Sequence, residues 1–474
     1  MAHIKPLRRA AAYGLVAVVA IGVMLRLDGL GERSLWLDEF STWHVSRLPL
    51  GESLVWPAER SVAPLYQLSL RAVTSDPQPP EWLLRLPAAV AGCASLAAAA
   101  WLGWTVGGPA LGLMLAAALA LQPLQIDYSR EARGYSMLVL AGLAATTLWL
   151  RLLAAERLRP TDWVGYVAAG ALGVYAHYLM VFTLVAHTLT LPLARRRWVV
   201  GSALAAAALL CAPLALRVLA GRAEIGEALA WVPPLSLGGA MAHLASVGFG
   251  SIWLAAAALC AALALVRRQA LQRDGQIAVA VCVAWLAATW VVPAALAMCG
   301  LPLGVERYFL HAGAPLVLSA LLAARMAQRH APAALTLAAL ALVAPAALRR
   351  STQAPAPGFR ELTWYLNDSL AATPAPVWFA TANPAGVLAE MELLGWRYYE
   401  PQFAWRALHL NERVDATGTA AAWVVVFLRE VDADLTAAGG GKADVVFEEL
   451  RLPELYFRPY RLQYWEFGVV APDR

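Results

Sequence analysis

Charge is what this sequence has least of. Asp, Glu, Lys and Arg make up 15% of its 474 residues, while hydrophobic residues make up 60%. A soluble domain is closer to a quarter charged and about half apolar. With a mean hydropathy of +0.57, this balance excludes an ordinary soluble chain and points to a polytopic membrane protein. Cysteine is also scarce. The five, Cys93, Cys211, Cys260, Cys282 and Cys299, fall in or beside apolar runs. Their spacing fits neither a disulfide framework nor a metal site, so they read as small buried hydrophobes. A nucleotide-binding motif is missing too. The run GGGK, Gly439 to Lys442, is a turn that does not follow a strand in a P-loop pattern. Finally, no small-residue cleavage site follows the apolar run of MAHIKPLRRAAAYGLVAVVAIGVMLRL, so the expectation is an uncleaved first helix.

What the chain does have is a series of long apolar segments. A bilayer core needs about 20 mostly apolar residues per helix, and by that rule the sequence contains about eleven spans. They fall near 11–27, 86–105, 109–126, 134–151, 163–179, 180–194, 198–219, 246–266, 276–298, 308–325 and 332–348. The surplus of positive charge, +5 overall, reads as an orientation signal and not as a nucleic-acid site. With the N-terminus cytoplasmic, the cytoplasmic side receives Lys5, Arg8, Arg9, Arg151, Arg157, Arg159, Arg195, Arg196, Arg197, Arg267, Arg268, Arg273, Arg325 and Arg329. The short outer loops receive few: Arg130, Arg133, Arg222 and Arg307. An odd span count then places the C-terminus outside.

Two pieces face the outside in this scheme, a long first loop at 28–85 and a tail at 351–474. The tail reads as a small α/β domain. FRELTWYLNDSL has helical spacing. PVWFAT, AAWVVVFLRE, ADVVFEEL and LQYWEFGVV are rich in β-branched and aromatic residues, as strands are. Trp364, Trp378, Trp396, Trp405 and Trp465 suit either core packing, the favoured reading, or stacking on sugars. The expected architecture is a transmembrane domain over 1–350 and an extracytoplasmic domain over 351–474.

Four stretches could carry chemistry. In SLWLDEFSTWHVSR the spacing predicts a short helix with Ser34 as N-cap. Trp36, Phe40 and Trp43 would share one face and lie in the membrane interface, where Trp is enriched. Asp38 and Glu39 fall off that face. They are either first-turn carboxylates that complement the helix dipole or a general base at the bilayer surface. QPLQIDYSREARGYSML packs Asp127, Arg130, Glu131 and Arg133 beside two spans, where ionisable groups are costly and usually paired or functional. The arginine fork suits phosphate, and a structural ion-pair cluster is the competing reading. GLPLGVERYFLHAG sets Glu306, Arg307 and Tyr308 at the head of the tenth span. That is either a second phosphate ligand or a snorkelling Arg with an interfacial Tyr. In GVYAHYLMV, His177 and Tyr178 end the fifth span. A hydrogen-bonded core histidine is the favoured reading there. His44, His243 and His311 lie near the same side, without metal-site spacing.

Taken together and in order, LWLDE, PLYQLSLR, EWLLRLPAAVAG, DYSREARGYSML, YAHY and ERYFL resemble the bacterial members of the GT-C membrane glycosyltransferases, especially the protein-mannosyltransferase and lipid A aminoarabinose-transferase group. The likeness covers residues 1 to about 350, and the Asp-Glu pair and REARGYS are its specific parts. The resemblance implies an enzyme that moves a hexosyl or pentosyl group from a polyprenyl-phosphate donor to an acceptor hydroxyl, with inversion, at the outer face of the cytoplasmic membrane. It implies Asp38 as general base with Glu39 as its partner. Arg130, Glu131, Arg133 and Tyr135 would shape the donor site, and Arg307 with Tyr308 would hold the lipid phosphate. His177, Tyr178 and Tyr66 are further candidate substrate contacts. The implied partners are the lipid-linked sugar, a glycan, lipid or protein acceptor, and the bilayer, with no nucleic acid. No cofactor is expected, and a divalent metal is compatible but not indicated. Many relatives carry Gln where Arg130 stands and polar residues where Val62 and Ala63 stand. The rival class is a transporter or flippase for a lipid-linked glycan. Those often show inverted repeats and interrupted midplane helices, and the sequence shows neither.

Overall fold

The computed structural model describes residues 4–54, 62–229, 232–248, 273–327, 359–372, 377–381, 394–399, 404–409, 421–427, 445–446 and 460–466. The expected spans at 332–348 and, for the most part, 246–266 lie outside the described residues. The chain forms two compact units that interleave in sequence. The first comprises Met1–Leu30, Glu59–Ser75 and Leu83–Gln353, and the second Gly31–Ala58, Asp76–Trp82 and Ala354–Arg474. Much of the expected first outer loop therefore clusters with the tail.

The first unit is helical. By length and composition, four described helical stretches can cross a membrane: Glu81–Gly107, Tyr135–Ala154, Arg273–Met298 and Glu306–Met326. Two bent pairs raise the total to as many as six. The protein is a multi-pass membrane protein. Proline explains most of the breaks, because it removes an N–H and clashes with the carbonyl four residues back. Pro123 opens helix Pro123–Ser129, which meets Pro109–Leu121 at 66°. Pro293 follows a π-helical stretch at Ala287–Val291, a usual site for such a disruption. Helix Pro160–Ala176 ends before Met180–Thr190 begins, at the expected break near 179.

Buried polar groups tie these broken helices together. The carbonyls of the last turn of Pro109–Leu121 lose their helical partners at the Pro123 break. Arg26, 1% exposed, supplies donors instead. Its Nη1 donates to the carbonyls of Gly22 at 3.0 Å and Ala120 at 3.2 Å, and its Nη2 to that of Leu119 at 3.0 Å. A cation at a helix C-terminus also complements the dipole. Deeper in the unit, His187 is fully buried. Its ring nitrogens lie 3.2 Å from the Thr146 hydroxyl and 3.0 Å from that of Tyr166, with the Trp149 ring stacked on it. This is the satisfied core histidine that burial in an apolar interior demands.

The second unit contains a five-stranded sheet in the order β2-β1-β3-β5-β4. Its strands are β1 Val377–Thr381, β2 Trp405–His409, β3 Ala421–Phe427, β4 Val445–Val446 and β5 Tyr460–Glu466. β1 runs parallel to β2 and β3, while β3–β5 and β4–β5 are antiparallel. Four strands match expected segments, and β2 was not expected. Its sequence, WRALH, has no two-residue alternation. Helix Phe359–Ala372 coincides with the expected amphipathic run. Trp396 is fully buried, while Trp364 is 58% exposed.

The helix expected in SLWLDEFSTWHVSR spans Leu37–Arg47, with Trp36 as its N-cap residue, two positions beyond Ser34. The expected membrane-interface role of its aromatic face does not hold. Phe40 is 0% exposed and Trp43 is 4% exposed. The Phe40 ring packs edge-on against Phe359, at 5.1 Å between centroids, and against Tyr399 at 5.9 Å. Trp43 packs edge-on against Tyr398 at 5.1 Å, and its indole N–H donates to the Pro77 carbonyl at 3.0 Å. The face is protein core. Helical periodicity announces an apolar stripe but does not say whether lipid or protein covers it.

Candidate functional site

Functional residues expected from the sequence fall into two groups, one in each unit, and each is described within its own unit.

In the first unit the group is built on one sharp turn. Helix Pro123–Ser129 ends, residues 130–134 reverse the chain, and helix Tyr135–Ala154 departs. The Arg130 N–H donates to the Asp127 carbonyl at 2.9 Å, and the Arg133 N–H to that of Glu131 at 2.7 Å. The Ser136 hydroxyl donates to the Tyr128 carbonyl at 2.9 Å, stitching the two helices. Gly134 is needed for close approach. A Cβ there would sit 2.3 Å from the backbone oxygen of Ala176, so the arginine turn presses against the C-terminus of helix Pro160–Ala176. His177 follows at that point. Its ring lies 4.8 Å from Tyr135, and Tyr308 packs edge-on at 6.4 Å.

Arg133 and Arg307 are both buried, at 7% and 6% exposure. Both, with His311, act electrostatically on His177. The Arg307 guanidinium also lies over the Tyr308 ring, 5.9 Å from its centroid. The structure thus brings Arg133, Tyr135, His177, Arg307 and Tyr308 together. Nδ1 of His177 accepts from the Leu179 N–H at 3.3 Å, which leaves the proton of a neutral ring on Nε2. The segment Glu306–Ala312 is held to the arginine turn's helix by the Gln125 side-chain amide, which donates to the Leu310 carbonyl at 3.3 Å. Arg130 and Glu131 sit half-buried on the same turn. Two buried cations flanked by aromatic rings and an imidazole N–H can bind a phosphate diester and strengthen that hold as negative charge grows on it.

Two other expected contacts are already engaged. Tyr66 is 1% exposed, and its hydroxyl donates to the Leu84 carbonyl at 2.8 Å, a packing role. The Tyr178 hydroxyl accepts from Arg217 Nη1 at 2.7 Å, and the same guanidinium nitrogen donates to the Val62 carbonyl at 2.9 Å. Arg217 and His311 were not singled out from sequence as site residues. Arg217 lies inside an apolar run and offered no local motif. His311 has no second ligand at metal spacing in the sequence. Among the described residues, no cluster of His, Cys, Asp or Glu could hold a metal ion.

In the second unit the adjacent acids separate by environment. Glu39 is 1% exposed, and its Oε2 accepts from the Trp36 N–H at 3.3 Å. That is the returning half of a capping box, which satisfies an orphan helix donor. Asp38 is half-buried and the more accessible of the two. It sits two residues before Phe40, about 200° around a helix from the buried ring. Of the two, Asp38 has the access that a group exchanging protons with a ligand requires.

No family model matches the chain, and no curated protein does. Solved structures do match. ArnT from Cupriavidus metallidurans in the apo state aligns with a TM-score of 0.54 at 14% identity, over 95% of this chain and 97% of that one. The oligosaccharyltransferase AglB from Archaeoglobus fulgidus, solved with an inhibitory peptide and a dolichol-phosphate, aligns with a TM-score of 0.54 at 12% identity, over 88% of this chain and 69% of that one. The architecture is thus that of a large polytopic membrane protein. Within that class, the chain has the fold of the GT-C superfamily.

Proposed function

We propose that this protein is a GT-C glycosyltransferase that moves a sugar from a polyprenyl-phosphate donor to an acceptor hydroxyl, with inversion. The observation that carries the reading is the buried pair Arg133 and Arg307 around His177 in a fold of this class. Ionisable groups held at this depth are usually functional or paired, and the planar arginine fork suits phosphate oxygens. A lipid-linked phosphate diester is a ligand of that chemistry at membrane depth.

The chemistry follows from the donor. The acceptor oxygen attacks the anomeric carbon as the bond from that carbon to the phosphate oxygen breaks. The departing polyprenyl phosphate gains negative charge, which fixed arginines stabilise without reorganising. The acceptor proton goes to Asp38, the accessible acid of the pair. Glu39 serves by holding the first turn of Asp38's helix. Arg130, Glu131 and Tyr135 shape the sugar side of the donor site, and Tyr308 orients Arg307. In this reading the protein lies in the cytoplasmic membrane with about eleven spans, its N-terminus in the cytoplasm and its tail outside. AglB was solved with a dolichol-phosphate, which supports a polyprenyl-type carrier for this chain.

The test is a comparison of surface glycans by mass spectrometry with and without the protein. Loss of one sugar substituent, restored by the wild-type chain, is expected. Identical glycans in both cells would contradict the reading.

A further inference from the structure

The second unit makes the acid-bearing helix depend on the distant tail. Leu35, just before helix Leu37–Arg47, is 2% exposed, and its N–H donates to the Tyr399 hydroxyl at 2.8 Å. That hydroxyl lies 3.2 Å from the Ser34 hydroxyl and donates toward Glu81 at 3.4 Å. The Arg360 N–H donates to the Ser34 hydroxyl at 3.3 Å. Besides pairing with the adjacent Glu361 at 2.8 Å, the Arg360 guanidinium reaches three further partners. Nη1 donates to the Gly31 carbonyl at 3.1 Å and to Glu81 at 3.0 Å, and Nη2 donates to the Glu32 carbonyl. Behind them, Phe40 is enclosed by Phe359, Tyr398 and Tyr399. The Tyr398 hydroxyl donates to the Pro79 carbonyl at 2.6 Å.

These contacts differ in kind. The rings supply non-directional burial, which holds the helix but tolerates rotation. The hydroxyl and guanidinium are directional, and both act on residues 31–35, immediately before the first turn that carries Asp38. The local restraint is the Glu39 carboxylate on the Trp36 N–H, which lies within the first turn; Trp36 itself has no side-chain acceptor to tie residues 31–35 to the helix. We propose that Tyr399 and Arg360 are positioning residues for Asp38, so that the tail sets the direction of the carboxylate and is part of the catalytic machinery. This rests on the reading of Asp38 as base. A base displaced by about 1 Å can lose on the order of 100-fold in rate, which makes a single hydroxyl measurable.

The test uses the full-length chain in nanodiscs with a total extract of native cell envelopes, which supplies both the lipid-linked donor and the acceptor hydroxyl, and follows consumption of sugar-bearing polyprenyl phosphate by mass spectrometry. Tyr399→Phe keeps the ring against Phe40 and removes only the hydroxyl. The expected result is a turnover at saturating lipid reduced about 10- to 100-fold, with the half-saturating lipid concentration unchanged. Hydrogen exchange should accelerate in the peptide holding Leu35 and Trp36 and stay at its wild-type rate in Phe359–Ala372. Arg360→Lys, which keeps the charge but not the fork, should show the same pattern more weakly. Turnover of Tyr399→Phe within twofold of wild type would overturn the proposal. So would a change confined to half-saturation, or equal loosening of both peptides, which would mark the hydroxyl as a binding contact or a general fold contact. Asp38→Asn separates the two levels. If that variant keeps wild-type turnover, the base assignment fails. If it is inactive while Tyr399→Phe is normal, only the positioning role fails.

Discussion

The arginine turn of the first unit and the acid helix of the second solve the same problem in opposite ways. Each must hold charged groups in a fixed direction. The turn's backbone is held by near neighbours: the Arg130 and Arg133 N–H groups and the Ser136 hydroxyl all donate within Asp127 to Ser136, and Gly134 lets the backbone press on Ala176. The acid helix does so with residues more than 300 positions away, Phe359, Arg360, Tyr398 and Tyr399. A local device survives changes elsewhere in the chain. A remote one makes the acid conditional on a second segment being folded.

That contrast sets the expected effects of mutation. The largest is Phe40→Ala. Removing a fully buried ring costs about 3–5 kcal/mol. Limited proteolysis should then open the tail at a lower temperature, while the helices of the first unit stay protected. Gly134→Ala is the matching change in the first unit. The added methyl meets backbone at 2.3 Å, and overpacking of this kind costs about 1–3 kcal/mol. It should lower thermal stability without loosening the tail. Arg307→Lys keeps the charge but loses the planar fork, and should weaken binding of polyprenyl phosphate about 10-fold with little change in melting temperature. Titration calorimetry in nanodiscs reads that directly.

The smallest effect is a pH dependence confined to the second unit. Burial, and then the charges of Arg397 and Arg47, hold His44 below the usual imidazole range. The unfolded chain therefore takes up a proton before the folded one as pH falls. Stability from this group is present above the ordinary histidine value and declines as pH drops through it. His44→Gln should flatten the acid side of the second unit's melting curve.

Much of this was legible in the sequence, but unevenly. DYSREARGY announced itself because four charges beside two spans have few innocent explanations, and the structure does gather Arg133, Tyr135, Arg307 and Tyr308 around His177. The acid pair was equally visible, yet its environment was not. Trp36, Phe40 and Trp43 read as a lipid-facing stripe, and Phe359 and Tyr398 cover it instead. Nothing local in either segment encodes that pairing. The division of labour between Asp38 and Glu39 was likewise hidden, because it depends on which carboxylate reaches the Trp36 N–H. Arg26 and Arg217 were silent for the same reason. Their partners are backbone carbonyls and a tyrosine hydroxyl supplied by other segments.

The proposed transfer turns on Asp38 taking the acceptor's proton. Asp38→Asn changes one oxygen to nitrogen and preserves the shape of the helix. With lipid-linked sugar consumption followed in nanodiscs, the expected result is a turnover reduced by about 100- to 10,000-fold, with polyprenyl phosphate bound as tightly as before. Turnover equal to that of the wild-type protein would contradict it.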